Sequence, residues 1–213
     1  MATASITGIP RVAVKVNYAN SAKGDARETF LTVYRDTTGR TGALIPEGKQ
    51  YITLCADQHA NDPLCEIEQL KREGLKLYQY VGIDIDPAII ESNREQYPSV
   101  RFINGDWLKV IQAMEPFNPA IIHFDSKVQA DNELWIGMLA STMELAPAGC
   151  FIAANFVTHN PYSGERVDLD RVTERLADYL GTGLNDWSSC GQFTYIGDGC
   201  RAEMGYLMFR RVS

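Results

Sequence analysis

From Tyr51 onward, short apolar runs alternate with segments whose apolar residues recur every three or four positions. The runs at 51–56, 79–83, 100–104, 120–124 and 149–155 read as strands. Helices are expected to start near Pro63, Pro87, Trp107, Asn132 and Val167. Leu64, Cys65, Ile67 and Leu70 repeat at helical spacing, and Gly74 ends that segment. Pro87 suits a first helical position, where its missing N–H is not needed, and Asp86 suits the N-cap before it. Such alternation requires crossover connections and hence a parallel sheet. The rhythm breaks at the end, where 188–197 and 203–211 read as two strands joined by the turn Gly197-Asp198-Gly199. An antiparallel hairpin therefore closes the sheet. Before Gln50 a helix is expected over 26–35 and a loop over 37–42. The chain divides on this reading into an N-terminal appendage, residues 1–49, packed as a lid in one version, and an α/β domain, residues 50–213.

Composition narrows the partners. The 213 residues, 45% hydrophobic and 22% charged, suffice for one well-buried core. A net charge of −7 and the lack of any dense Lys/Arg tract argue against an extended nucleic-acid surface. A small molecule or a peptide is the expected partner. No apolar run is long enough to cross a bilayer and no secretory leader opens the chain, so a cytoplasmic protein without membrane contact is expected. Five cysteines fit reduced thiols, with Cys55 and Cys150 in the core and Cys190 and Cys200 flanking the hairpin.

Three strand ends carry candidate chemistry. Tyr80-Val-Gly-Ile-Asp84 is followed at once by Ile85, Asp86 and a proline-led helix. A carboxylate so placed can accept from both vicinal hydroxyls of a ribose. The next strand ends in Asn104-Gly-Asp106-Trp107 and the one after in Ile122-His-Phe-Asp125. With the terminal hairpin, this order resembles the class I S-adenosylmethionine-dependent methyltransferases over roughly residues 49–212. The resemblance implies a Rossmann-like, mostly parallel sheet with helices on both faces and a C-terminal antiparallel hairpin. It implies S-adenosylmethionine as cofactor, with Asp84 on the ribose, Asp106 on the adenine amino group, and Ile85 or Trp107 as an apolar wall. Asp125 would stand at the cofactor edge as base or acceptor-orienting group, with His159 as a second candidate base. Phe156 and Tyr162 could wall the acceptor pocket. His123 is taken as a core residue on the strand face opposite Asp125. Asp125 and Asn155 also match two oxygen ligands of the metal-dependent O-methyltransferases. Ala154 stands where a further acid is expected, so a divalent metal is only a minor alternative.

One segment departs from the family. The loop after the first strand, Asp57-Gln-His-Ala-Asn-Asp-Pro63, contains no glycine. Small Ala56, and Asn61 with its tolerance of positive φ, could still let the loop curve around a methionine moiety. Asp57 could meet its ammonium group, while His59 and Asp62 read as loop and cap residues. Methyl transfer to an O- or N-directed small molecule or peptide is the leading expectation. A catalytically silent homologue that binds the cofactor or a partner, and another reaction of the same cofactor, are the alternatives.

Overall fold

The computed structural model describes residues 10–13, 21–56, 58–130, 132–159, 164, 166–181, 184–196 and 202–212, apart from the Lys127 side chain. Asp57, Tyr162, Cys200 and the hairpin turn 197–199 lie outside the described residues.

Seven strands form one sheet: β1 (Gln50–Leu54), β2 (Tyr80–Asp84), β3 (Arg101–Asn104), β4 (Pro119–Gln129), β5 (Phe151–His159), β6 (Trp187–Ile196) and β7 (Glu203–Arg211). Their order is β3-β2-β1-β4-β5-β7-β6. The first five are mutually parallel, and β7 runs antiparallel to both β5 and β6. The fold is therefore α/β, as expected. The terminal hairpin inserts its second strand between β5 and β6 and leaves β6 at the sheet edge.

Among the described residues, six α-helices cover the two faces. α1 (Ala22–Thr38), α2 (Glu66–Arg72) and α3 (Pro87–Gln96) pack on one; α4 (Trp107–Ala113), α5 (Glu133–Leu145) and α6 (Leu169–Tyr179) on the other. Central strands covered on both faces bury consecutive residues, as Tyr51 and Ile52 do in β1 and Ile121 and Ile122 in β4. The helix starts follow local chemistry. Asp86 accepts from Ala88 N–H ahead of Pro87, Asp106 from Lys109 N–H, and Asn132 from Trp135 N–H. Asp62 caps only a turn, accepting from Leu64 N–H, so the helix expected at Pro63 begins instead at Glu66.

α1 belongs to the sheet packing. Ser21 caps its start, Gly39 at φ 66° ends it, and Ala26, Phe30, Leu31 and Tyr34 are buried against the strands. Farther along, Gly82 in β2 lies beneath the Phe102 ring. A Cβ there would come within 2.8 Å of Phe102 and 3.0 Å of Cys55. Gly82→Ala is expected to cost about 1–3 kcal/mol through overpacking, read as a lowered urea midpoint at unchanged slope. A midpoint equal to wild type would show that the Phe102 ring moves aside freely.

Candidate functional site

The carboxyl ends of β1 to β5 meet at one edge of the sheet, where open α/β sheets bind ligands. Asp84 ends β2 half-buried, with Oδ1 accepting from Asp86 N–H at 2.8 Å. Its other oxygen has no hydrogen bond among the described residues. Asn104 Nδ2 donates to the carbonyls of Asp84 and Ile85, and Gly105 N–H to Asp84, so the turns after β2 and β3 are tied together. Ile85 stands 73% exposed beside them. Asp106 is exposed, one oxygen spent on capping α4 and the second open to a ligand. Trp107 departs from expectation: at 3% exposure its indole packs edge-on against Phe124 and donates to Thr142 Oγ1 at 2.8 Å. It belongs to the core, whereas Ile85 is an exposed apolar side chain at this edge. Phe156 is likewise buried, against Trp135.

The glycine-free loop after β1 is held by side-chain amides. Asn93 on α3 accepts from Gln58 N–H at 2.7 Å and donates to the carbonyl of exposed Ala56 at 3.1 Å. Gln58 Oε1 accepts from Cys65 Sγ and from Ile67 N–H at the start of α2. Asn61 adopts φ 67°, the one positive-φ non-glycine position among the described residues. An asparagine thus makes the left-handed turn that a glycine would otherwise make. His59 is exposed.

Beside this edge, α1 brings two cations down onto buried carboxylates. Lys23 Nζ lies 2.5 Å from Asp125 Oδ2, and Asn155 Nδ2 donates to Asp125 Oδ1 at 2.8 Å. Burial pushes the Asp125 carboxyl up, but Lys23, His123 and Arg27 outweigh it and hold the group well below the usual carboxylate range. One helical turn along α1, Arg27 Nε sits 3.4 Å from Glu66 Oε1. Glu66 accepts from the Tyr51 hydroxyl on Oε1 and the Tyr80 hydroxyl on Oε2, both at 2.9 Å, and lies 2.8 Å from His123 Nδ1. His123 Nε2 is 2.8 Å from the Tyr206 hydroxyl. Burial, ahead of nearby Glu66, drives the hydroxyls of Tyr51 and Tyr80 far above their ordinary range, so both remain donors. His123 Nδ1 thus faces Glu66 as a third donor, and its Nε2 faces the Tyr206 hydroxyl.

His123 is a satisfied core histidine, but it shares a face with Asp125, because residues two apart on a strand point the same way. The expected opposite placement is corrected by that periodicity. His159 is not brought to Asp125. Asp125 is level with Asn155, and His159 lies four residues farther along β5, roughly 13 Å at strand rise. Among the described residues no group of three or more His, Cys, Asp or Glu side chains gathers to hold a metal ion. Both Asp125 oxygens already face protein donors, Lys23 and Asn155.

Sequence reasoning missed Lys23, Arg27 and Glu66. Their signal was a charge in phase with an apolar stripe: Arg27 falls in register with Ala26, Phe30, Leu31 and Tyr34, and Glu66 with Ile67 and Leu70. No helix is long and apolar enough to cross a membrane among the described residues.

No protein-family model and no curated protein sequence matches the chain. Solved structures do match in fold. The plantazolicin methyltransferase BamL, in complex with a triazolic desmethylPZN analog and SAH, superposes with TM-score 0.59 at 10% identity, over 90% of this chain and 85% of its own. The N-methyltransferase NodS from Bradyrhizobium japonicum WM9 gives TM-score 0.54 at 10% identity, over 90% and 97%. Trm5b from Pyrococcus abyssi gives 0.52 at 16% identity over 87% of this chain, which spans only 50% of the Trm5b length. With its strand order and inserted antiparallel strand, the chain has the class I S-adenosylmethionine-dependent methyltransferase fold.

Proposed function

We propose that the chain binds S-adenosylmethionine at the carboxyl edge of its sheet and transfers the methyl group to a hydroxyl or amine of a small molecule or peptide. The observation that carries this reading is the placement of Asp84 at the end of β2, of Asp106 just past β3 at the cap of α4, and of Asp125 on β4 two residues beyond its last pairing with β1, in a sheet with this topology. The donor set suits a nucleoside: Asp84 keeps an uncommitted oxygen for ribose hydroxyls, and Asp106 keeps one for the adenine amino group. Ile85 offers an apolar surface to the base. Ala56 and Asp57 follow β1, where the methionine end of the ligand would lie. That BamL and NodS are methyltransferases, one of them holding SAH, supports the reading through fold alone.

The bound sulfonium supplies an already activated methyl group. The chain's own task is then alignment, which can supply much of the acceleration of an in-line displacement. Asp125, kept ionised by Lys23 and steadied by Asn155, is suited to accept a hydrogen bond from the incoming O–H or N–H and so to aim it. Its depressed proton affinity makes it a weak general base.

Titration calorimetry with S-adenosylhomocysteine tests the site. Wild type is expected to bind, and Asp84→Ala to weaken binding by at least about tenfold, since charge-assisted hydrogen bonds are lost. Equal affinity in the two proteins would remove Asp84 from the site, and no binding by wild type would remove the function.

A further inference from the structure

A cavity lies beside edge strand β6. Residues 10–12 form a strap along edge strand β6, with Val12 N–H donating to the Gln192 carbonyl and Gln192 N–H to that of Pro10. The strap seats closely because residue 191 is glycine: a Cβ there would lie 2.6 Å from Val12 Cγ2. Between the strap, β6 and the start of α6 is a cavity of about 640 Å³. That is within the range of about 300–1,000 Å³ usual for small-molecule sites.

Its wall combines apolar and cationic groups. Val12, Val167 and Leu169 supply the first, Arg11 and Arg166 the second. Neither guanidinium has a carboxylate at ion-pair distance among the described residues. Two carboxylates share the wall, each with one oxygen engaged: Asp168 Oδ1 caps α6 and Glu203 Oε1 accepts from the Thr158 hydroxyl. Gln192 is the decisive residue. It is 3% exposed, its Nε2 donates to Asp170 at 3.0 Å, and its Oε1 has no partner among the described residues. A buried acceptor left unpaired costs about 1–3 kcal/mol, which a ligand N–H or O–H would recover.

We propose that this cavity binds a small amphipathic carboxylic acid that also carries a hydroxyl or N–H donor. Arg11 and Arg166 take the carboxylate, the valines and Leu169 cover the apolar body, and Gln192 Oε1 receives the donor. The site lies at the β6 side of the sheet, offset sideways from Asp125. Gln192 is level with Leu207, Ala154 and Phe124 in turn, three strand spacings or roughly 14 Å from β4. The proposal therefore stands or falls independently of methyl transfer.

The test is calorimetric titration of the full chain with 4-hydroxyphenylacetate, its methyl ester and phenylacetate. The hydroxy acid is expected to bind. The ester is expected to bind at least about tenfold more weakly for want of the charge, and phenylacetate more weakly for want of the donor. The double variant R11Q/R166Q should weaken the hydroxy acid by at least about tenfold while keeping the thermal midpoint and S-adenosylhomocysteine affinity of wild type, because both arginines are exposed. Equal binding of acid and ester, an unaffected double variant, or no binding at ~5 mM hydroxy acid would overturn the proposal.

Discussion

Glu66→Ala is expected to lower stability by about 3–5 kcal/mol, the range for removing one partner of a buried ion pair. At this chain length that corresponds to a fall in thermal midpoint of roughly 6–20 °C. The size follows from what remains behind. The Arg27 guanidinium, 4% exposed, loses its nearest countercharge, while the Tyr51 and Tyr80 hydroxyls and His123 Nδ1–H lose the acceptor they share. β1, β2 and β4 bring all three donors to one carboxylate on α2. Removing both charges in R27M/E66A is expected to recover part of the loss, because no uncompensated ion is left buried. Urea unfolding of the two variants beside wild type decides the matter. A Glu66→Ala protein within about 1 kcal/mol of wild type would show that the network contributes little to stability.

The same group gives the chain an acid limit. Burial raises the Glu66 proton affinity, but the Arg27 charge and the His123 hydrogen bond reverse it and bring the carboxyl from 4.5 to about 2. A carboxyl depressed in the folded state binds its proton less readily there than in the unfolded chain. Its stabilisation is complete above pH 4.5 and is lost as the pH falls toward about 2. The slope of stability against pH across that window is expected to flatten in Glu66→Gln. An unchanged slope would assign acid sensitivity to other carboxyls.

How much of this was legible in the sequence depends on how local each cause is. Asp86 and Pro87, Asn132, and the apolar runs at 79–83 and 100–104 act through residues a few positions away, and they form elements within a residue of those their pattern predicts. The place of β7 was not legible. Alternation marks 203–211 as a strand, yet only pairing with β5, nearly fifty positions earlier, sets it inside the sheet. Trp107 was misjudged for a related reason, since the hydroxyl that satisfies its indole sits on α5, thirty-five positions on. His159 was misplaced because β5 continues to residue 159 and carries it past the level of Asp125. Lys23 is the most distant case: nothing near Asp125 in sequence indicates that a lysine on α1 will meet it. Asp57 lies outside the described residues, so its expected contact with the cofactor belongs to the proposal alone.

Asp125→Asn is expected to lower kcat by about 10²-fold or more while leaving S-adenosylhomocysteine affinity within about threefold of wild type. The reasoning rests on alignment. An asparagine keeps the size of the side chain and loses the charge that fixes Lys23, 2.5 Å away, so the acceptor-facing oxygen is no longer held by an ion pair on one side and Asn155 on the other. Displacements of about 1 Å at a reacting centre cost on the order of 10² in rate. A structural defect alone would lower stability and cofactor binding together, whereas loss of aim lowers kcat and spares cofactor binding. The electrostatics add a signature that needs no acceptor. Despite the burial that opposes it, Lys23, His123 and Arg27 keep the Asp125 carboxyl ionised well below the ordinary range, so its carboxyl carbon resonance should show no titration step above pH 4. The turnover profile of wild type, measured on the first hydroxyl or amine compound that a screen finds methylated, should accordingly show no inflection from this group near neutrality. A titration step for Asp125 between pH 5 and 8 would make it a general base instead. A full-rate Asp125→Asn protein would move the acceptor away from β4 altogether.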